Sequence, residues 1–382
     1  MNAGQPLEAR VSDCTLRDTR NAPGVFMTVE HVVEIARRLD ALGVDEIEIA
    51  GGGYSEDERR LARAVNDLGL RAPTSCLVFC INSEDIHAAI DFVEDVGSRT
   101  MMISLPTSER FIQMRLKRSL RAACKLVEKV VGEAVKRGIS VVFSGEDAAR
   151  ADPVHLVDFV RAGAGAGASR FRFAESVSAL DPLRIGERFA LLRESTDVAL
   201  DVHCHSSFGL GVANTLAALR AGATWASCTV GGLGERGGNT PLESIVLYLA
   251  RLAGRRGFAL EHLKPLAEAV GRATDIAIPR FASAVGDDAF LYEKGNMFLH
   301  HEAYEAYPPE AVGAKRRLAV GKKGDALTVR TMLTLLGLDP ASYDTGALAQ
   351  RMQELAWERR RCLDGDDLAA LLNGGGEEWK AK

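Results

Sequence analysis

The chain has 382 residues, 47% of them hydrophobic and 26% charged, with a formal net charge of −5. Charges of both signs are scattered, which leaves no basic footprint for nucleic acid or an anionic membrane, and no apolar run reaches membrane-spanning length. The seven cysteines are odd in number and lack C-x-x-C spacing, and residues 1–9 lack the regions of a secretory signal. A cytoplasmic protein with reduced thiols is expected, with room for one large domain and a smaller one.

Residues 9–18 predict a short strand ending in a polar cluster of Asp13, Thr15, Arg17 and Asp18. Thr28 caps a predicted helix through Leu42 that buries Val32, Val33, Ile35, Ala36 and Leu39. A second strand over 43–50 leads through the loop 51–58 to a helix from Asp57 to Leu68. A third strand (72–81) precedes a helix from Ser83 to Val96, and a fourth (99–106) a long helix ending near Arg137. A fifth (138–147) precedes a helix from Pro153 to Ala166, and a sixth (169–176) a helix to about Glu194. The seventh carries His203 and His205, whose i, i+2 spacing puts both imidazoles on one face of a strand. The eighth runs into the GLGERGGN loop (232–239), and a helix from Pro241 to Leu252 closes the series.

Eight strand–helix units in about 250 residues match a (β/α)₈ TIM barrel. An open doubly wound sheet would carry a G-x-G-x-x-G turn after its first strand, and none is there. In a closed barrel the first, seventh and eighth strands are neighbours, so Asp13, the His203/His205 pair and the GERGGN loop converge on one mouth. Two imidazoles at a strand end suit a divalent metal, although an isolated H-x-H also arises from one surface and one core histidine. Residues 1–254 are therefore expected as the catalytic barrel and 255–373 as an appended helical and irregular region. Helices are expected in that region over 260–274, 302–307, 326–336, 345–357 and 366–372, with a disordered tail over 374–382.

DCTLRD (13–18), HCH (203–205) and GLGERGGN (232–239) together resemble the DRE-TIM metallolyase superfamily. Within it the chain resembles the Claisen-condensing branch of homocitrate, isopropylmalate and citramalate synthases over roughly residues 8–340. SGEDAARAD (144–152), RFRFAES (170–176) and LAVGKKG (318–324) have counterparts in nitrogenase-associated homocitrate synthases. The resemblance implies acetyl-CoA as co-substrate and a divalent metal (Zn, Mn or Mg) held by Asp13, His203, His205 and Asn239. An α-keto acid would fill the open positions. Arg17 and Glu146 are the implied catalytic residues, and Asp18, Arg20, Glu48, Ser176 and Ser207 the implied substrate contacts. On spacing alone, Arg17 also reads as an ion pair with Asp18, Glu48 and Glu146 as solvated loop carboxylates, and the loop glycines as turn formers.

The departures bear on substrate. Thr19, Arg20 and Asn21 stand where homocitrate synthases have glycine, glutamate and glutamine, and Ser206 and Ser207 replace acidic or amide residues. Cys80 falls where an arginine is usual, and YEKGNM (292–297) replaces a segment that supplies a catalytic histidine. His300 or His301 either substitutes for that imidazole or is a surface residue. Arg20, Ser207 and Lys294 together point to a strongly anionic acceptor such as phosphonopyruvate. Three functions compete: an acyl-CoA-dependent synthase, a metal-dependent lyase or aldolase cleaving a hydroxy acid, and an inactive barrel retained for binding. A homodimer is expected.

Overall fold

A computed structural model describes residues 7–51 and 54–380; part of the loop read over 51–58 and the extreme ends lie outside it. Eight parallel strands close a barrel: β1 (Arg10–Asp13), β2 (Glu46–Gly51), β3 (Thr74–Phe79), β4 (Thr100–Pro106), β5 (Ser140–Glu146), β6 (Arg170–Glu175), β7 (Ala199–Cys204) and β8 (Trp225–Cys228). β1 pairs with both β2 and β8, which closes the ring. This is the TIM barrel the alternating pattern predicts. Among the described residues, no helix is long and apolar enough to cross a membrane.

Local chemistry starts the helices where the sequence marks them. Thr28 and His31 form a reciprocal capping box, and Asp152 and Asp181 cap helices that open on Pro153 and Pro182. β6 shows how alternation builds the interior. Phe171 and Phe173 face outward and stack on Phe143 and Phe189 at 5.0 and 5.2 Å. Arg170 and Arg172 therefore point inward, where burial demands partners for their charge.

The structure differs from the sequence pattern in four places. The first strand stops at Asp13 and Thr15–Asp18 coil into a helical turn. An irregular turn over 109–116, wide-wound from Ile112 to Leu116, precedes the helix Leu120–Lys136. The helix predicted over 302–307 is only a short turn, His301–Ala303, and Pro308 disfavours helical geometry at Tyr307. Beyond 373 the backbone continues as helix to Gly375 and a tight turn to Trp379, whose ring is buried.

The chain divides into two compact units between Ile278 and Pro279. The first contains the barrel. The second holds the helices Ala326–Leu335, Thr345–Arg359 and Gly365–Gly375 around Leu318, Val320, Met332, Leu348 and Met352.

Candidate active site

A cavity of about 340 Å³ opens at the C-terminal mouth of the barrel. Arg17, Asp18, Glu146, Arg172, Ser176, His203, His205 and Arg236 are among the residues that line it. Arg17, Asp18, Glu146, Ser176, His203, His205 and Arg236 come from strand ends or the loops just beyond them, where a (β/α)₈ barrel concentrates its chemistry.

The Thr15–Asp18 turn decides which aspartate enters the cavity. Ser12 points into the barrel, bonding Glu46 and approaching Glu48, so Asp13 alternates to the outer face. Both Asp13 carboxylate oxygens are taken by Thr15, through its backbone N–H at 2.9 Å and its hydroxyl at 3.0 Å. Burial pushes the Asp13 carboxyl up to about 7. The helical turn instead carries Asp18 back over the mouth, 3.6 Å from His203 Nε2. The expected ligand set is revised at one position: Asp18, and not Asp13, faces the imidazoles. Asp18 is thereby moved out of the expected substrate contacts.

The donors around Asp18 are prepared for a cation. His203 meets Ser227 Oγ through Nδ1 at 3.0 Å, and His205 donates Nδ1–H to the Gly238 carbonyl at 3.2 Å, which leaves each Nε2 for the cavity. Burial lowers both imidazoles, His205 to about 4, so both are neutral at neutral pH. Burial opposes ionisation of Asp18, but Arg17 at 2.8 Å overrides it and holds the carboxyl below its ordinary range. Asn239 donates Nδ2–H to Asp18 Oδ2 at 2.6 Å, and its Oδ1 is buried without a partner. At His205 Nε2 a cation is already present: the Arg236 guanidinium, 2.6 Å away. A hard carboxylate, two neutral imidazoles, an orphaned amide oxygen and a stand-in cation fit a divalent metal. Cys14, Asp18 and His203 also bring potential ligand atoms within 4.8 Å of one another. The Cys14 thiol, however, is turned to the Cys228 carbonyl at 3.2 Å, and burial holds it protonated.

Beneath these donors lies a buried ionic column that sequence reasoning largely missed. Arg172 bridges Glu48 and Asp201, Arg170 binds Glu46 at 2.5 Å and covers Trp225, and Arg17 binds Glu48 at 2.9 Å. Burial opposes the charge on Glu48, but Arg172 and Arg17 bring it down to about 2. Glu48 is fully buried and does not line the cavity, so it anchors Arg17. Gly51 makes room for that anchor, since a Cβ there would meet Arg17 Cδ and Cγ at 2.6 Å. Arg17, Arg170 and Arg172 face four carboxylates (Asp18, Glu46, Glu48, Asp201), an excess of one negative charge that favours a cation at Asp18.

The other expected residues separate. Glu146 lines the cavity, paired with Arg115 at 2.5 Å, and burial raises its carboxyl. Ser176 lines it too and accepts a hydrogen bond from Asp147 N–H at 2.9 Å. Arg20 does not: it pairs with Glu58 and bonds the Leu16 carbonyl. Ser207 is also outside the lining and bonds Ser178 through its backbone. Lys294 and His301 belong to the second unit, and His301 Nδ1 lies 3.1 Å from the Phe298 carbonyl. The cationic acceptor site suggested by Arg20 and Ser207 is therefore not present in this cavity, because Glu58 neutralises the charge that Arg20 would bring.

Comparison with known proteins shows the family and the fold. The HMGL-like family model matches residues 8–270. A putative (R)-citramalate synthase of Methanoculleus marisnigri is 36% identical over 365 residues, 94% of this chain and 71% of that one. Homocitrate synthase 1 of a Nostoc species is 32% identical over 95% of this chain and 96% of its own. Among solved structures, a Bacillus HMG-CoA lyase superposes with a TM-score of 0.62 at 19% identity, over 72% of this chain and 96% of that one, a likeness of fold.

Proposed function

The chain belongs to the HMGL-like family, and we propose that it is an acyl-CoA-dependent 2-alkylmalate-type synthase, joining the acetyl group of acetyl-CoA to an α-keto acid. The observation that carries this reading is the meeting of Asp18, His203, His205, Arg17 and Glu146 in one cavity. The relatives named above as citramalate and homocitrate synthases support the same chemistry.

Asp18, His203 and His205, with Asn239 Oδ1, would hold a divalent metal, which when bound supplies a Lewis acid toward the acceptor's carbonyl. Arg17 is a preorganised cation beside that position, fixed from behind by Glu48, and donates to the oxyanion as it forms. Glu146 stands across the cavity and takes the proton from the acetyl methyl, a role its burial favours by raising its basicity. The resulting carbon nucleophile forms the new C–C bond at the keto carbon, whose oxygen becomes the alkoxide and is then protonated. Water hydrolyses the thioester, releasing CoA thiol and a 2-alkylmalate-type diacid. Ser176, just beyond the end of β6, suits the acceptor's carboxylate as a hydrogen-bond donor.

In this reading the barrel, expected over 1–254, carries the chemistry, the region from 255 is an accessory, and two chains pair. Thiol release from acetyl-CoA in the presence of a panel of α-keto acids tests the reaction, with loss on chelation and recovery on adding a divalent metal. Absence of metal-dependent thiol release with every acceptor refutes it. Sedimentation at micromolar protein tests the dimer.

A further inference from the structure

The wall of the cavity opposite the metal-binding donors has a different composition. The donors sit at or just beyond the ends of β1 and β7 and in the loop after β8, and in a ring of eight strands β3 to β5 lie across from them. Register pairs Leu77 with Met102 and Met102 with Val142, then Phe79 with Ser104 and Ser104 with Ser144. Partners in a parallel ladder project to the same face, so these residues form two tiers. The lower tier is an apolar cluster of Leu77, Met102 and Val142, with Phe79 packed against it. The upper tier adds two small hydroxyls. No residue of β3 or β4 that lines the cavity is charged.

The cations of the cavity are already committed. Arg17 pairs with Asp18 and Glu48, Arg172 with Glu48 and Asp201, and Arg236 with Glu235. Arg115 stacks 5.3 Å from Phe79 but gives its guanidinium to Glu146. A keto acid whose carbonyl and carboxylate lie against the donors sends its side chain into the apolar tiers. A second carboxylate there would be desolvated without a counter-charge, whereas an alkyl group would be at home.

We infer that Leu77, Phe79, Met102, Ser104 and Ser144 form the acceptor's side-chain subsite, and that it selects α-keto acids with a short uncharged side chain over dicarboxylic ones. The inference rests on the synthase reading, since it assumes an acceptor held at Asp18, His203 and His205. It also reverses the expectation of a strongly anionic acceptor drawn from sequence. Phe79 closes the upper tier and sets how long the side chain can be, while Ser104 and Ser144 are the points at which a cation would change the class accepted.

The test uses the metal-loaded protein with pyruvate, 2-oxobutyrate, 2-oxoisovalerate, 2-oxoglutarate and oxaloacetate. Thiol release gives kcat/KM, and calorimetry without acetyl-CoA gives acceptor binding. The alkyl acids are expected to exceed the dicarboxylic acids by about 10²-fold in kcat/KM. Ser104→Arg is expected to narrow or invert that ratio by at least about tenfold, and Phe79→Ala to move the optimum toward longer alkyl chains. Equal or better binding or turnover of 2-oxoglutarate or oxaloacetate overturns the inference, as does binding of none of the five acids. No thiol release with any acid, together with selective binding of the alkyl acids, sinks the synthase reading and leaves the subsite standing.

Discussion

On the β1, β2, β6 and β7 side of the barrel interior, Arg170 and Arg172 are threaded between Glu46, Glu48 and Asp201. On the β3 to β5 side, Leu77, Met102 and Val142 fill the space with hydrocarbon. The two halves solve the same packing problem at different cost. Apolar residues stabilise by leaving water, whereas buried ion pairs roughly repay their own desolvation. The ionic half is therefore poorly explained by stability. What it supplies is orientation: Arg172 fixes Glu48, Glu48 fixes Arg17, and Arg17 holds Asp18 ionised beside the imidazoles. Below Glu146, which ends β5, the apolar half holds no charge and discriminates by shape and polarity. One barrel thus keeps an electrostatic wall for the reacting carbonyl and a neutral wall for whatever is attached to it.

The largest expected effect is at the top of the ionic half. His203→Ala should abolish stoichiometric metal and lower kcat/KM by about 10³-fold or more. Elemental analysis alongside thiol release checks it, and equal metal content in the variant would remove His203 from the donor set. Deeper in the same column, Arg172→Met leaves Glu48 and Asp201 buried with one partner fewer. Breaking such a network costs about 3–5 kcal/mol, read as a shift in the denaturant midpoint. A midpoint near that of the parent would mean that the column relaxes and that its role in orienting Arg17 is overstated. Arg17→Ala, one step nearer the carbonyl, is expected to lower kcat by about 10²-fold with the fold and the metal retained.

How far these residues could be read from sequence depends on the periodicity that carries them. The barrel was legible because eight short apolar runs alternate with capped amphipathic helices. His203 and His205 were legible because period 2 puts both on one face. The same period, applied to β1, would have sent Asp13 outward once Ser12 was recognised as inward, and applied to β6 would have marked Arg170 and Arg172 as interior charges. What no periodicity discloses is that Thr15–Asp18 coil instead of extending, since that turn is set by Asp13 capping Thr15 and by the Cys14 carbonyl accepting from Arg17 and Asp18 N–H. The partner of Arg20 was equally hidden, because Glu58 lies 38 residues away. The neutral wall of β3 and β4 reads from sequence as ordinary buried strand, and only closure of the ring shows that it faces the donors.

Behind the mouth, Glu243 gives a pH-dependent test of how the ionic half is sealed. It accepts the Gly231 N–H at 3.0 Å, and burial pushes its carboxyl up to about 7 from an ordinary value of 4.5. A carboxyl raised on folding keeps its proton in the native state where the unfolded chain has lost it. Its contribution to stability is therefore full below pH about 4.5 and is lost as pH rises through about 7. Glu243→Gln cannot ionise, so parent and variant should diverge in the variant's favour between pH 5 and 8, by about 2–3 kcal/mol. Denaturant midpoints that stay parallel across that range would show that Glu243 is ionised in the native protein.

The smallest expected effect lies at the seam between donors and solvent. Arg236 holds a left-handed backbone at φ 57°, its side chain is about half exposed, and its guanidinium donates to His205 Nε2 at 2.6 Å. That nitrogen is the one His205 would present to a metal, because its Nδ1–H is already given to Gly238. Metal and Arg236 therefore compete for one lone pair, and loading the site must release the arginine toward Glu235 or toward an anionic group of acetyl-CoA. Removing the competitor forfeits one hydrogen bond in the metal-free protein, worth about 0.5–1.5 kcal/mol. Arg236→Ala should accordingly tighten metal binding by about threefold to tenfold, measured by competition with a chelator. Turnover should fall if the released guanidinium goes on to an anionic group of acetyl-CoA, so the two readouts move in opposite directions. Weaker metal binding in the variant would instead make Arg236 a support of His205, and the ionic half would then extend to the rim of the barrel.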